Sequence, residues 1–234
     1  MTMNPQEIDP KRSDDYRWLA WMYDSLADLV FGGEILRAQR ALLTSNVACL
    51  SQSKCILWIG GGTGRVLNEL LSLAPHAHVI YVEPSAQMLA RAINNVDPRS
   101  THRVRWVHRD HRWLWEPRAE ADLERIDVMI TAFFLDVLPE EECRALALHA
   151  SPRVRSWLFA DFIPQRRRWA QALIAFMYLC FTIVTRIKQR KMLDLLGVLR
   201  REGWRTRHPA QPVNTFARGL IQIDHLIYDP EVNV

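Results

Sequence analysis

The sequence predicts an α/β fold, a mostly parallel sheet with helices on both faces. Two observations carry that prediction. Short apolar runs alternate with amphipathic, helix-period stretches from Cys55 to Ala160, the signature of successive β–α units. The first of those runs, Ile56-Leu57-Trp58-Ile59, ends in Gly60-Gly61-Gly62-Thr63-Gly64 and passes directly into a helical pattern. That places a glycine turn at the carboxyl edge of the sheet, where open α/β folds bind ligands.

The elements follow in order. Residues 1–13 form a polar arm. From Asp14 the apolar positions Leu19, Met22, Tyr23, Leu26, Leu29 and Val30 keep helical spacing. Gly32 and Gly33 break it, and a second helix is expected over 34–43. Ser51 to Lys54 are a polar linker. Strands are expected at 55–59, 78–82, 104–107, 127–131 and 154–160. Between them, Val66, Leu67, Leu70 and Leu71 mark one helix, and Met88, Leu89, Ala92 and Ile93 mark another opened by Ser85. Pro139 with Glu140 and Glu141 starts a third, with proline in its first turn and acids at its positive dipole end. A last helix over about 191–202 precedes two closing strands, 204–208 and 219–228, read as a hairpin-like pair. The expectation is one domain over 1–234 with seven strands, N-terminal helices at 14–50 and a helical insertion at 165–200.

Composition narrows the class. Hydrophobic residues make up 49% and charged residues 24%, enough apolar material for a large core and too little charge for disorder. The net charge of +4 lacks the localised stripe of a nucleic-acid surface, so no nucleic-acid partner is expected. Cys49, Cys55, Cys143 and Cys180 form no CxxC pair, which leaves free thiols and no metal site. His76 and His78 have no further ligand in sight and read as a surface turn. The polar N-terminus has no apolar signal region, so a cytoplasmic chain is expected.

One segment, 169–185, is almost uncharged and has basic residues on both flanks. Its 17 residues fall short of the roughly 20 that a membrane span needs, so no transmembrane span is expected. Above the carboxyl edge of the sheet it would make an apolar lid, with Phe176 and Tyr178 facing a substrate. A core or homodimer-interface helix is the alternative. A helix lying against a membrane surface is the third reading, which the basic flanks favour.

The glycine turn has chemical content. Glycine lets a ligand approach the backbone without a Cβ in the way, and the helix behind it offers unpaired N–H groups. The spacing is G-x-G-x-G. A dinucleotide site would need glycine where Arg65 or Leu67 stands. An adenosyl ligand without a pyrophosphate fits better. Glu83 follows Gly64 by 19 residues, close to the roughly 20 expected of an acid that binds ribose hydroxyls. Asp110, near the end of the third strand, could accept from an adenine amino group.

With these residues in order, the chain resembles class I S-adenosylmethionine-dependent methyltransferases, of the small bacterial kind related to quinone and other small-molecule methylases. Their first motif, V-L-D-L-G-C-G-T-G, is met at 56–64 except at Trp58 and Gly61. The second is met from Glu83 to Ala92, the third from Val107 to Asp110, and the fourth from Asp127 to Leu135. Tyr23-Asp24 resembles the family's N-terminal pair over the cofactor. The resemblance implies a Rossmann-like domain, S-adenosylmethionine as cofactor and a small-molecule methyl acceptor. It also implies a cofactor-binding set of Tyr23, Gly60, Gly61, Gly62, Thr63, Gly64, Glu83, Pro84, Met88, Asp110, His111, Thr131, Ala132 and Phe133. Trp58 stands where the family has an anchoring acid. Aminopropyltransferases share an apolar residue there, but they need several acids after the fourth strand, and this chain has only Asp136.

Methyl transfer asks mainly for orientation and exclusion of water, and no catalytic dyad is conspicuous. Asp136 is the candidate general base, with a helix-cap role as its alternative. Asp161 and His225 read as structural. Phe134 is expected in an aromatic wall facing a quinone-like or secondary-metabolite acceptor. A non-enzymatic, cofactor-binding member of the fold is the competing reading, favoured by Trp58.

Overall fold

In a computed structural model, residues 33–115, 125–164, 193–208 and 214–230 are described. The glycine-ended run forms β1 (Cys55–Ile59) at the centre of a sheet. It pairs in parallel with β2 (His78–Val82) on one side and β4 (Ile126–Ala132) on the other. β3 (Val104–Val107) extends the sheet beyond β2, and β5 (Val154–Phe162) extends it beyond β4, both in parallel. Chain order therefore reverses between β1 and β4, and the glycine turn stands at this switch point.

Both faces of the sheet are covered, which is why its strands are apolar without alternation. Ile56, Trp58, Tyr81, Ile130 and Leu158 face one core. Leu42 and Leu43 of α1 (Glu34–Thr44), Leu70 and Leu71 of α3 (Leu67–Leu73), and Leu89 and Ala92 of α4 (Ala86–Asn95) close it, with Leu50 of the single turn α2 (Val47–Leu50). Leu57, Ile59, Met129, Trp157 and Phe159 face the other. There they meet Leu146 and Ala147 of α5 (Glu140–Ala150), Leu195 and Leu199 of α6 (Leu195–Arg201), and Trp204. Trp157 and Trp204 pack edge to face with ring centroids 5.1 Å apart. The indole of Trp204 donates to the Ala147 carbonyl at 3.1 Å, which satisfies its polar edge.

The closing strands are antiparallel. β8 (Ile221–Tyr228) pairs with β5 on one side and β6 (Trp204–Thr206) on the other. A three-residue strand, β7 (Asn214–Phe216), also pairs with β8. The described residues thus hold eight strands where seven were expected. A three-residue strand carries too little alternation to register as a pattern. Pro139 precedes α5 as its N-cap, with ψ 150, rather than sitting in its first turn. The helix expected from Asp14, with Tyr23, and the apolar segment 169–185, with Phe176 and Tyr178, lie outside the described residues. Among those that are described, no helix is long and apolar enough to cross a membrane.

The opposite, amino edge is pinned by one side chain. Asp127 at the start of β4 accepts the N–H of Lys54 at 2.7 Å and of Cys55 at 3.1 Å, where β1 begins. Two bonds to a charged acceptor fix the register of the central pair. Asp127→Ala should therefore lose about 1–3 kcal/mol of unfolding free energy in urea. A loss below about 0.5 kcal/mol would show that strand pairing alone sets this register.

Candidate cofactor site

The turn after β1 has left-handed backbone at Gly60, Gly62 and Gly64, with φ of 66, 61 and 68°, a conformation that side-chain-bearing residues resist. The three differ in what surrounds them. A Cβ at Gly60 would lie 2.4 Å from Cδ2 of Phe134, so the turn rests directly on that ring. A Cβ at Gly62 would meet nothing nearer than Sδ of Met88 at 4.0 Å. Gly62 therefore faces open space bounded by Met88, a cradle into which a ligand can approach the backbone. Gly61, where a Cβ would strike the Tyr81 ring, and Gly64, where it would press on Ala92 of α4, are glycines for packing reasons.

Besides the Gly64 N–H to Gly61 carbonyl bond within it, at 3.3 Å, four hydrogen bonds from flanking residues hold the turn in shape. The Gly60 N–H donates to the Val82 carbonyl at 2.9 Å. The Tyr81 hydroxyl donates to the Gly62 carbonyl at 3.1 Å, and the Asn95 amide donates to the Thr63 carbonyl at 3.0 Å. Glu83, buried at the end of β2, makes the fourth. Its Oε2 accepts the Gly62 N–H at 3.0 Å, while its Oε1 accepts the Ser85 N–H at 2.9 Å. Burial raises the Glu83 pKa, and the two N–H donors pull it back. Ser85 then caps α4 by accepting the Met88 N–H at 3.3 Å.

Beside this turn, Asp110 is exposed and its Oδ1 accepts the Arg112 N–H at 2.9 Å, opening the 3-10 turn His111–Trp115. His111 is buried between the edges of Trp115 and Phe134, with centroids 5.5 and 5.7 Å away. Its Nε2 lies 2.9 Å from Oε2 of Glu142 on α5, without the alignment of a hydrogen bond. Burial lowers the His111 pKa against the opposing pull of Glu142, so the ring is neutral at neutral pH. The Pro84 carbonyl is 3.0 Å from Nε2 of His108, tying the ends of β2 and β3 together.

The end of β4 is more constrained than its sequence indicated. Thr131 is fully buried, and its hydroxyl accepts the Trp157 indole N–H at 2.8 Å. Only its backbone is left for the edge. Ala132 is buried as well. Phe133 takes a left-handed φ of 57° while its N–H donates to the Ala160 carbonyl at 2.8 Å. Phe134 packs between Gly60 and His111, against the glycine turn itself, rather than standing as an open wall. Trp58 fills the core beside Tyr81, with centroids 5.9 Å apart. The family's anchoring position is thus apolar core in this chain.

Asp136 and Asp161 meet beneath the same edge. Asp161, fully buried at the end of β5, takes three backbone N–H groups. Oδ2 accepts from Leu135 at 3.0 Å and Asp136 at 3.3 Å, and Oδ1 accepts from Phe162 at 2.9 Å. The Asp136 carboxyl hydrogen-bonds Asp161 and receives the Val137 N–H. Burial raises the pKa of both, that of Asp136 to about 6, and the charge of Asp136 raises Asp161 further. Two carboxyl groups this close in the interior cannot both ionise at neutral pH, and they share one proton. The two carboxyls therefore titrate as one coupled pair, Asp161 holding its proton to higher pH under the charge of Asp136. Nearby, burial pushes the Cys143 thiol up to about 12, and its Sγ sits 3.5 Å from the Leu135 carbonyl. Sequence reasoning missed this pairing, and it missed the reach of Glu142 to His111, because neither contact is local in the chain.

A parallel sheet with a glycine turn and an acid on successive strand ends, at the switch point, defines a nucleoside-binding α/β domain. Residues 56–154 match the family described as Methyltransferase domain. Over those residues the chain is similar to class I methyltransferase domains, a family whose cofactor is S-adenosylmethionine. Solved structures agree in fold. Mitomycin 7-O-methyltransferase MmcR superposes with a TM-score of 0.58 at 13% identity, covering 92% of this chain and 68% of that one. An O-methyltransferase family protein from Burkholderia thailandensis gives 0.58 at 16%, covering 91% and 73%. CalO1, a methyltransferase in calicheamicin biosynthesis solved with S-adenosylhomocysteine, gives 0.56 at 17%, covering 83% of this chain and 54% of that one. The chain thus spans about half to three quarters of the length of these enzymes. No curated protein matches it in sequence.

The shared proton predicts a pH dependence. Both folded pKa values lie above the unfolded aspartate value of roughly 3.9. The stability tied to that proton is fully present below about pH 4 and is lost as pH rises through about 6 and beyond. Asp136→Asn keeps a donor toward Asp161 and cannot ionise. In urea unfolding it should be more stable than wild type by about 1–3 kcal/mol at pH 8, with the gap closing toward pH 5. Asp161→Asn, which disturbs three N–H partners, should be destabilised at every pH. Parallel pH profiles for wild type and Asp136→Asn would contradict proton sharing.

Proposed function

We propose that the chain transfers the methyl group of S-adenosylmethionine to an oxygen of a small, largely apolar or aromatic acceptor. The observation that carries this reading is the Gly62 cradle, open on its ligand side and framed by Met88 and the buried Glu83 carboxylate. The residues fit an adenosyl ligand. Glu83 has two engaged oxygens whose remaining lone pairs can accept ribose hydroxyls, Met88 offers apolar contact to the base, and Asp110 keeps an oxygen for its amino group. The backbone of Thr131, Ala132 and Phe133 borders the reactive end. Tyr23, Phe176 and Tyr178, outside the described residues, are further candidates from the sequence for contacts to cofactor and acceptor. The bound cofactor supplies a methyl group made electrophilic by a positive sulfur.

The protein's contribution is placement. Glu83 and the fixed turn set the cofactor's position, and the rings of Phe133, Phe134 and His111 exclude water at the edge. Asp136 is buried against Asp161, and His111 is packed between two rings, so neither is offered to an acceptor as a free base. An acceptor whose hydroxyl ionises readily, of phenol or hydroquinone type, suits a site that works by placement. Named fold neighbours act in mitomycin and calicheamicin chemistry, which favours secondary metabolites. An aminopropyltransferase would need acids to hold a polyamine, and the one acid after β4 is occupied with Asp161. The non-enzymatic reading rests on Trp58 alone.

Incubating the purified chain with methyl-labelled cofactor and an extract of the producing cell should put label into organic-soluble products. Asp136→Asn should keep kcat within a few-fold of wild type, and the rate should rise with pH through the acceptor's own pKa. A hundredfold loss in Asp136→Asn with cofactor binding intact would restore Asp136 as a base. Label found only in protein or nucleic acid would end the small-molecule reading.

A further inference from the structure

On the amino edge of the sheet, away from the glycine turn, lies a cavity of about 680 Å³. It opens between the α1–α2 corner, the starts of β4 and β5, and β8 with the end of β6. A cavity of this size accommodates a small metabolite. Its charge is lopsided. Arg155, Arg200, Arg207 and His208 line it, against Asp127 and Asp224. Both carboxylates are already engaged. Asp127 takes the Lys54 and Cys55 N–H groups. Asp224 takes the Thr206 hydroxyl at 3.0 Å and the His225 N–H at 2.8 Å, and it also feels Arg200. Among the described residues, the guanidinium groups of Arg155 and Arg207 have no carboxylate partner.

His225 points the same way. It lines the cavity, and its Nε2 is buried without a hydrogen-bond partner. Burial, with the positive charges of Arg207 and His208, lowers its pKa to about 4. The same excess of positive charge selects an anionic ligand for the cavity.

We propose that this cavity is a second ligand site, which takes a small polyanion bearing phosphate or carboxylate groups on the guanidinium forks of Arg155 and Arg207. Planar guanidinium groups match both anion types in bidentate geometry. A concave site among seven elements suits a compact anion better than an extended nucleic-acid backbone. The site is independent of the methyl-transfer reading, because it shares no residue with the glycine turn.

Calorimetric titration of the full chain with inorganic pyrophosphate and with citrate, at low ionic strength, tests it. At least one should bind saturably at a single site, and which one binds assigns the phosphate or carboxylate class. Arg155→Ala and Arg207→Ala should each weaken that binding at least tenfold while leaving S-adenosylhomocysteine affinity unchanged. The glutamine variants, which retain part of the stem packing, carry the same expectation and guard against a folding defect. Absence of saturable binding by either anion, or binding that survives both substitutions, would overturn the proposal.

Discussion

One buried carboxylate holds the carboxyl edge together. Glu83 stands at the end of β2 and clamps two N–H groups at once, that of Gly62 in the turn after β1 and that of Ser85 at the cap of α4. The clamp fixes the turn relative to the helix that walls its ligand side. A charged acceptor with two backbone donors is strong in a place from which water is excluded. It also keeps the turn's left-handed glycines from relaxing. Phe134 supports the same turn from below by occupying the space a side chain at Gly60 would need. The cradle at Gly62 is open because everything around it is already committed.

A second carboxylate does the equivalent work on the far side of the switch point. Asp161 gathers three N–H groups from the β4 turn and its own strand end, where β4 stops and the chain folds over toward α5. The cost of burying it is met by sharing a proton with Asp136 rather than by a cation. That arrangement changes the meaning of Asp136. An acid just past the fourth strand reads as a base in sequence, whereas in the fold it is one half of a buried carboxyl pair beneath the edge. The edge is therefore built for positioning, in keeping with a reaction whose activated group arrives on the cofactor.

What was legible in the sequence was local. The strand–glycine–helix passage, Glu83 one β–α unit later and the alternation of five parallel strands are all patterns over a few consecutive residues. The fold and the frame of the site follow from them. What was not legible depends on distant partners. Asp136 and Asp161 lie 25 residues apart, Glu142 reaches back 31 residues to His111, and the Thr131 hydroxyl is taken by Trp157. Each partner choice is made by strand order and register, which no local period reveals. β7 and α2 escaped for a simpler reason, since three or four residues cannot establish a period. The amino-edge cavity was invisible because its cations come from β5, α6 and the end of β6.

The central claim is that the turn and Glu83 form a site for an adenosyl cofactor. Titration calorimetry of S-adenosylhomocysteine into wild type and Glu83→Ala tests it most directly, with thermal unfolding as a check that the variant is folded. The account predicts wild-type binding of micromolar order, about 8 kcal/mol, weakened in the folded variant by roughly 1.5–3 kcal/mol as bonds to a charged acceptor are lost. No binding to the wild type, or an affinity unchanged by the substitution, would contradict it.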